Sequence, residues 1–287
     1  MDITSKEEAK ATKEKIKTGS SENMSSVPDT APKGAKGNKM GNKILFITGA
    51  DSGIGKACAL LFAKEGADVA IVYLDEHEDA NDTKKQVEAY GRKCLLIPGD
   101  LRKEDFCKEA VNKAVKEFGR IDVLINNAGT QVEAESLEEI TTENMMKTFE
   151  TNIFSMFWIT KAALPHMKKG SAIVNTTSVT AYHGHPTLID YSATKGAIVT
   201  FTRSLSDNLV GKGIRVNAVA PGPIWTPLIT SSSPDKKLSE HGAGTPMHRG
   251  GQPAEVAPCY LFLGCNDDSG YMSGQVLHPN GGEVVNG

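Results

Sequence analysis

From residue 43 onward the chain alternates short, continuously apolar runs with longer stretches of helical period. The runs are KILFIT, DVAIVY, CLLIP, IDVLINN, SAIVNTT, IRVNAVA and QVLHP; between them lie stretches such as GIGKACALLFAKEG, DANDTKKQVEAYG and EDFCKEAVNKAVKEFG. Runs that are apolar throughout belong to strands buried on both faces of a sheet. Strands and helices that take turns imply right-handed crossovers, since parallel neighbours can be joined only by a long connection packed back on the sheet. The pattern predicts an α/β fold: a doubly wound parallel sheet of about seven strands with helices on both faces. No break in composition interrupts it, so residues 41–287 are expected to form a single domain.

Residues 1–40 read differently. The stretch KEEAKATKEKIKTGSSENMSSVPDTAPKGAKGNK is rich in Lys, Glu, Ser, Gly and Pro and has almost no large apolar residue. Such a segment cannot bury enough surface to offset its ordering entropy, and it is expected to be a flexible polar arm, with at most a short helix in SKEEAKATKEKI. Over the whole chain 39% of residues are hydrophobic and 23% charged, with a formal net charge of -3. That balance carries no basic stripe for nucleic acid. The most apolar stretch, IFSMFWITKAAL, is interrupted by Lys161, and the opening MDITSKEEAK lacks the apolar core of a secretory signal, so neither a membrane span nor export is expected. The five cysteines are scattered with no C-x-x-C pair, which points to a reducing cytoplasm.

The turn FITGADSGIGKA follows the first expected strand and opens the first helix, with Gly49, Gly53 and Gly55 spaced G-x-x-x-G-x-G. Free N–H groups and the positive end of a helix dipole meet an approaching phosphate there, and glycine lets the backbone come close. The turn reads as a pyrophosphate cradle.

The T-G-x-x-x-G-I-G of residues 48–55, N-N-A-G at 126–129, Ser178 thirteen residues before Tyr191, Y-x-x-x-K at Tyr191 and Lys195, and P-G at Pro221 and Gly222 stand in this order along the chain. Together, over residues 43–287, they resemble the short-chain dehydrogenase/reductase family. Within it the polar arm, PGPIWTPLI and the NGGEVVNG ending are similar to a bacterial branch of general-stress or glucose-dehydrogenase-like oxidoreductases. The resemblance implies a Rossmann-type domain that binds NAD or NADP and moves a hydride between the nicotinamide and an alcohol or carbonyl carbon. A dinucleotide-binding sensor without turnover is the alternative, and an intact Asn152, Ser178, Tyr191 and Lys195 set argues against it.

Hydride chemistry needs a proton carrier, and an unperturbed tyrosine with a pKa near 10 is a poor base at neutral pH. Bringing Tyr191 towards 7 takes about 4 kcal/mol, the order supplied by a charge about 4 Å away at an effective dielectric of 20. Residues i and i+4 are neighbours on a helix, so Lys195 is expected to lower the Tyr191 pKa. By the resemblance, Ser178 orients the substrate oxygen. Asn152 matches a position where a helix irregularity lets water reach the lysine, which also holds the nicotinamide ribose.

The resemblance assigns the cofactor to Gly49, Asp51, Ser52, Gly53, Ile54 and Gly55 on the glycine turn, and to Asp100 and Leu101 beside the adenine. Asn126, Ala128 and Gly129 would line the turn after the fourth strand, and Pro221, Gly222, Ile224 and Thr226 would orient the carboxamide. An acidic residue after the second strand favours NAD, whereas a 2′-phosphate calls for Arg or Lys. Here Tyr73 stands where the family's selecting Asp is usual, but Asp75 and Glu76 follow with no basic residue among them. NAD is the expected cofactor, with NADP the alternative. His183 and His185 have no evident carboxylate or cysteine partner, so no metal site is expected. The polar segment 228–251 is expected to be a mobile lid over a small polar substrate such as an aldehyde, ketone, sugar or polyol. The family implies dimers or tetramers.

Overall fold

A computed structural model describes residues 28–31, 37–232 and 241–285. Most of the expected N-terminal arm, with its short helix, and residues 233–240 of the expected lid lie outside them.

All seven apolar runs are strands: β1 (Ile44–Thr48), β2 (Asp68–Tyr73), β3 (Cys94–Pro98), β4 (Val123–Asn126), β5 (Ala172–Thr176), β6 (Arg215–Val219) and β7 (Val276–Leu277). They pair in parallel in the order β3-β2-β1-β4-β5-β6-β7. β1, β4, β5 and β6 are buried at every residue, the burial expected of strands covered on both faces.

The covering helices of one face are α1 (Gly53–Lys64), α2 (His77–Ala89) and, late in the chain, α9 (Pro253–Gly264). α1 has almost no polar side because the sheet lies on one flank and α9 on the other. The opposite face carries α3 (Glu104–Phe118), the pair α4 (Thr142–Phe149) and α5 (Ser155–Ala163), and the long α7 (Ile189–Val210). Short helices α6 (Thr180–His183), α8 (Pro227–Ser232) and α10 (Asn266–Ser269) complete the described α-helices.

The chain leaves β1 for β2 on one side and later returns to β4 on the other. At such a switch point the loops after neighbouring strands part, opening a crevice at the strands' carboxyl ends. Every motif singled out in the sequence except Asn152 sits in or next to a loop at that rim.

Candidate active site

The glycine turn is shaped by contacts that admit no side chain. Gly49 has φ +63°, and a Cβ there would lie 2.8 Å from the Ala128 Cα. A Cβ on Gly55 would lie 2.0 Å from the Gly49 carbonyl oxygen, so α1 starts hard against the end of β1. Asn127 ties this turn to the next one: its Nδ2 donates to the Gly49 carbonyl at 2.7 Å, and its backbone N–H donates to Thr48 Oγ1 at 3.0 Å. Ser52, at the N-cap of α1, makes no capping hydrogen bond. The first-turn N–H groups therefore face a cavity of about 350 Å³ that runs from Asp51 and Asp75 at one end to Ser178 and Tyr191 at the other. A glycine cradle, an uncapped helix N-terminus and a long cavity fit a dinucleotide with its pyrophosphate on α1.

Tyr191 and Lys195 project from the start of α7. Thr194 Oγ1 donates to the Tyr191 carbonyl at 2.7 Å and Thr177 Oγ1 to the Lys195 carbonyl at 2.7 Å, which seats this turn against the end of β5. The Lys195 ammonium lies 5.3 Å from the centroid of the Tyr191 ring and donates to the Thr176 carbonyl at 3.0 Å. Ser178, in the loop after β5, accepts from the Thr180 N–H at 3.2 Å.

Charge in this cluster does not follow the sequence expectation. Burial pushes the Tyr191 hydroxyl up to about 12, opposed only in part by the Ser178 side chain facing it. Burial also brings Lys195 down to about 8. The correction has a plain cause: both groups lose water, the ammonium lies over the ring instead of at its oxygen, and a carbonyl already takes one of its protons.

Asn152 lies within Glu150–Phe154, one turn of π-helix between α4 and α5. The wider turn aims its amide at the loop after β4, where Oδ1 accepts from the Thr130 N–H at 2.8 Å and Nδ2 donates to the Thr130 carbonyl at 2.9 Å. A Cβ on Gly129 would lie 3.5 Å from Asn152 Oδ1 and 3.6 Å from Lys195 Nζ, so the absence of a side chain there leaves the space between them open. π turns inside helices are frequent at functional sites.

Of the residues singled out in the sequence, Gly49, Asp51, Ser52, Gly53, Ile54, Asp75, Ala128, Gly129, Ser178, Tyr191, Lys195, Pro221, Gly222, Ile224 and Thr226 line the one cavity. The others stand behind it. Gly55 is a packing glycine. Tyr73 is buried, its hydroxyl bonded to His77 Nδ1 at 2.9 Å. Asn126 is in the core, donating to Asn175 Oδ1 at 2.9 Å. Leu101 packs in the α3 core, and Asp100 is gripped by the Arg102 guanidinium, which holds its carboxyl below the usual range. Asn152 does not line the cavity but holds Thr130, which stands between the lining residues Gly129 and Gln131. His183 and His185 do not line the cavity; His183 Nε2 lies 3.9 Å from Glu283 Oε2.

Lining residues that sequence reasoning passed over include Asn127, Gln131, Thr176 and Thr177. Their signal was position: Asn127 lies within the N-N-A-G motif and Gln131 just beyond it, Thr176 ends β5 and Thr177 precedes Ser178. Leu228 and Ile229, at the start of the expected lid, also reach the cavity. The loop carrying Pro221 and Gly222 is backed by the segment after β7. The Gly222 N–H donates to the Pro279 carbonyl at 3.1 Å, a Gly222 Cβ would lie 2.7 Å from the Asn280 Cα, and the Met247 N–H donates to the Gly281 carbonyl at 3.0 Å.

Known proteins are similar to this chain over most of its length. A family model described as enoyl-(acyl carrier protein) reductase matches residues 49–283. General stress protein 39 of Bacillus subtilis is 57% identical over 248 residues, 86% of each chain. The Arabidopsis thaliana protein named NADPH-dependent aldehyde reductase 1, chloroplastic, is 53% identical over 255 residues, 87% of this chain and 88% of that one. Among solved structures, a short chain dehydrogenase from Burkholderia cenocepacia in complex with NADP superposes with a TM-score of 0.80 at 29% identity, covering 85% of this chain and 99% of that one.

Proposed function

The chain belongs to the short-chain dehydrogenase/reductase family and is an NAD(P)-dependent oxidoreductase, and from that premise we propose that it interconverts a small polar carbonyl compound and its alcohol, with Tyr191 carrying the proton. One observation carries the reading: Ser178, Tyr191 and Lys195 converge at one end of the cavity whose other end is the glycine cradle.

NAD(P), when bound, supplies or takes up the hydride. The first turn of α1 and the glycine turn would hold its pyrophosphate, and the segment from Pro221 to Thr226 its nicotinamide end. Ser178 donates to or accepts from the substrate oxygen and keeps it beside the tyrosine. Tyr191, protonated throughout the neutral range, gives its proton to that oxygen during reduction, a state that suits a reductase at neutral pH. Lys195 stabilises the phenolate that remains, and the Asn152–Thr130 clamp keeps the wall beside Gly129 open towards it. Residues 41–287 act as one catalytic domain with 228–251 as its lid, which the cavity-lining Leu228 and Ile229 support.

The preferred cofactor is NAD: Asp51, Asp75 and Glu76 line the far end of the cavity, and no basic residue stands among the described lining residues there. All five cysteines are free thiols, which supports a cytoplasmic setting. Apolar surface on α5 and α7 supports a homotetramer or dimer.

The test follows cofactor absorbance over a panel of aldehydes, ketones, sugars and polyols. At least one carbonyl substrate is expected to turn over. Tyr191→Phe is expected to lose a factor of about 10²–10⁴ in kcat while still binding cofactor. Substantial residual turnover in that variant would remove Tyr191 from its role.

A further inference from the structure

We propose that Asp51, on the glycine turn, is the residue that selects NAD over NADP, presenting to the adenosine ribose the carboxylate that the end of β2 lacks. The inference rests on the reading of the cavity as an NAD-preferring site. It starts from Tyr73, the last residue of β2, which cannot serve as selector. Its ring is 5% exposed, its hydroxyl is engaged by His77 Nδ1, and the His77 ring packs edge-on at 5.5 Å.

The neighbouring loop supplies the missing group. Asp51 lines the same end of the cavity, beside Ser52 and Asp75. It is fixed from two directions: Thr83 Oγ1 on α2 donates to its carbonyl at 2.8 Å, and Ser52 Oγ donates to its Oδ2 at 3.0 Å. Among the described residues it has no ion-pair partner. Lys56, one position beyond Gly55, is held by Asp82 at 2.5 Å. Burial raises the Asp51 pKa, and the charges of Asp79 and Asp75 raise it further.

A half-buried carboxylate with few donors gains from a ribose 2′-hydroxyl that can donate to it. A 2′-phosphate at that place meets like charge in a partly desolvated corner, where repulsion is poorly screened. Asp75 contributes less, because it is exposed and water screens it. Selection by Asp51 combines an attraction for one cofactor with a repulsion of the other.

The experiment titrates the full chain with 5′-ADP and 2′,5′-ADP by calorimetry at fixed pH and salt, and measures kcat/KM with NADH and NADPH alongside. The wild type is expected to favour 5′-ADP. Asp51→Asn is expected to narrow that gap at least tenfold, about 1.4 kcal/mol, mainly by tightening 2′,5′-ADP. Asp75→Asn should narrow it less. Retained 5′-ADP binding shows that the variant is folded, and Asp51→Ser repeats the measurement if the Asn variant is not. A gap unchanged in both Asp51 variants while the wild type still prefers 5′-ADP overturns the proposal and leaves the NAD reading standing. A wild type that itself prefers 2′,5′-ADP overturns the NAD reading as well.

Discussion

A phenol shut away from water keeps its proton to higher pH, and Tyr191, 9% exposed, is pushed up to about 12 while Lys195 falls to about 8. The sign of the resulting pH dependence differs between the two directions of reaction. Alcohol oxidation needs the phenolate, whose fraction grows about tenfold per pH unit below the pKa, so kcat/KM for oxidation is expected to climb from pH 6 towards 10. Its slope should ease above about pH 8, where Lys195 gives up the charge that favours the phenolate. Carbonyl reduction needs the protonated form and should stay nearly level over the same range; oxidation that is flat with pH would contradict the assignment. At this scale the sequence shows that Tyr191 and Lys195 share a helical face and does not show their state. Spacing reports which side chains can meet, whereas the cost of removing both from water depends on what else surrounds them.

Among the elements, the glycine turn is the least tolerant. A Cβ on Gly55 would fall 2.0 Å from the Gly49 carbonyl and 2.7 Å from the Ala50 Cα, both backbone atoms pinned by β1. Gly55→Ala is therefore expected to cost about 1–3 kcal/mol of stability, read as a lower urea midpoint, and to weaken cofactor binding together with it. An unchanged midpoint would mean that α1 can shift away from β1. The strands at the centre of the sheet were legible because a run buried on both faces admits little but apolar residues. The π turn at Glu150–Phe154 was not legible from composition or period: widening one helical turn moves hydrogen bonds along the backbone without asking for a different residue type. Only the resemblance singled out Asn152. The shift of Asn126 into the core has a similar origin, because consecutive strand residues face opposite ways and the motif alone does not say which of two asparagines turns inward.

For the whole molecule, α5, the π turn before it and α7 share an apolar face that the rest of the described residues leave uncovered. Phe157 is 52% exposed and Phe154 36%; the Phe157 ring lies 4.4 Å from that of Phe201, which packs on Ile153, Met156 and Ile198. Such a patch favours self-association. Light scattering is expected to give a dimer or tetramer mass for the wild type and a lower mass for Phe157→Asp; a wild type that stays monomeric at micromolar concentration would contradict this. The sheet order followed from the alternation of elements, but this surface did not, since its residues alternate with buried ones along two helices distant in sequence. The backing of the Pro221–Gly222 loop by Pro279 and Asn280 carries a further consequence, for synthesis. The strands β1 to β6 can emerge from the ribosome and pair while the segment that braces this loop is still unmade. A chain halted before Pro279 would keep most of its sheet without the support of the Pro221–Gly222 loop. The brace behind this loop is thus expected to be among the last parts of the cavity wall to be completed as the chain is made.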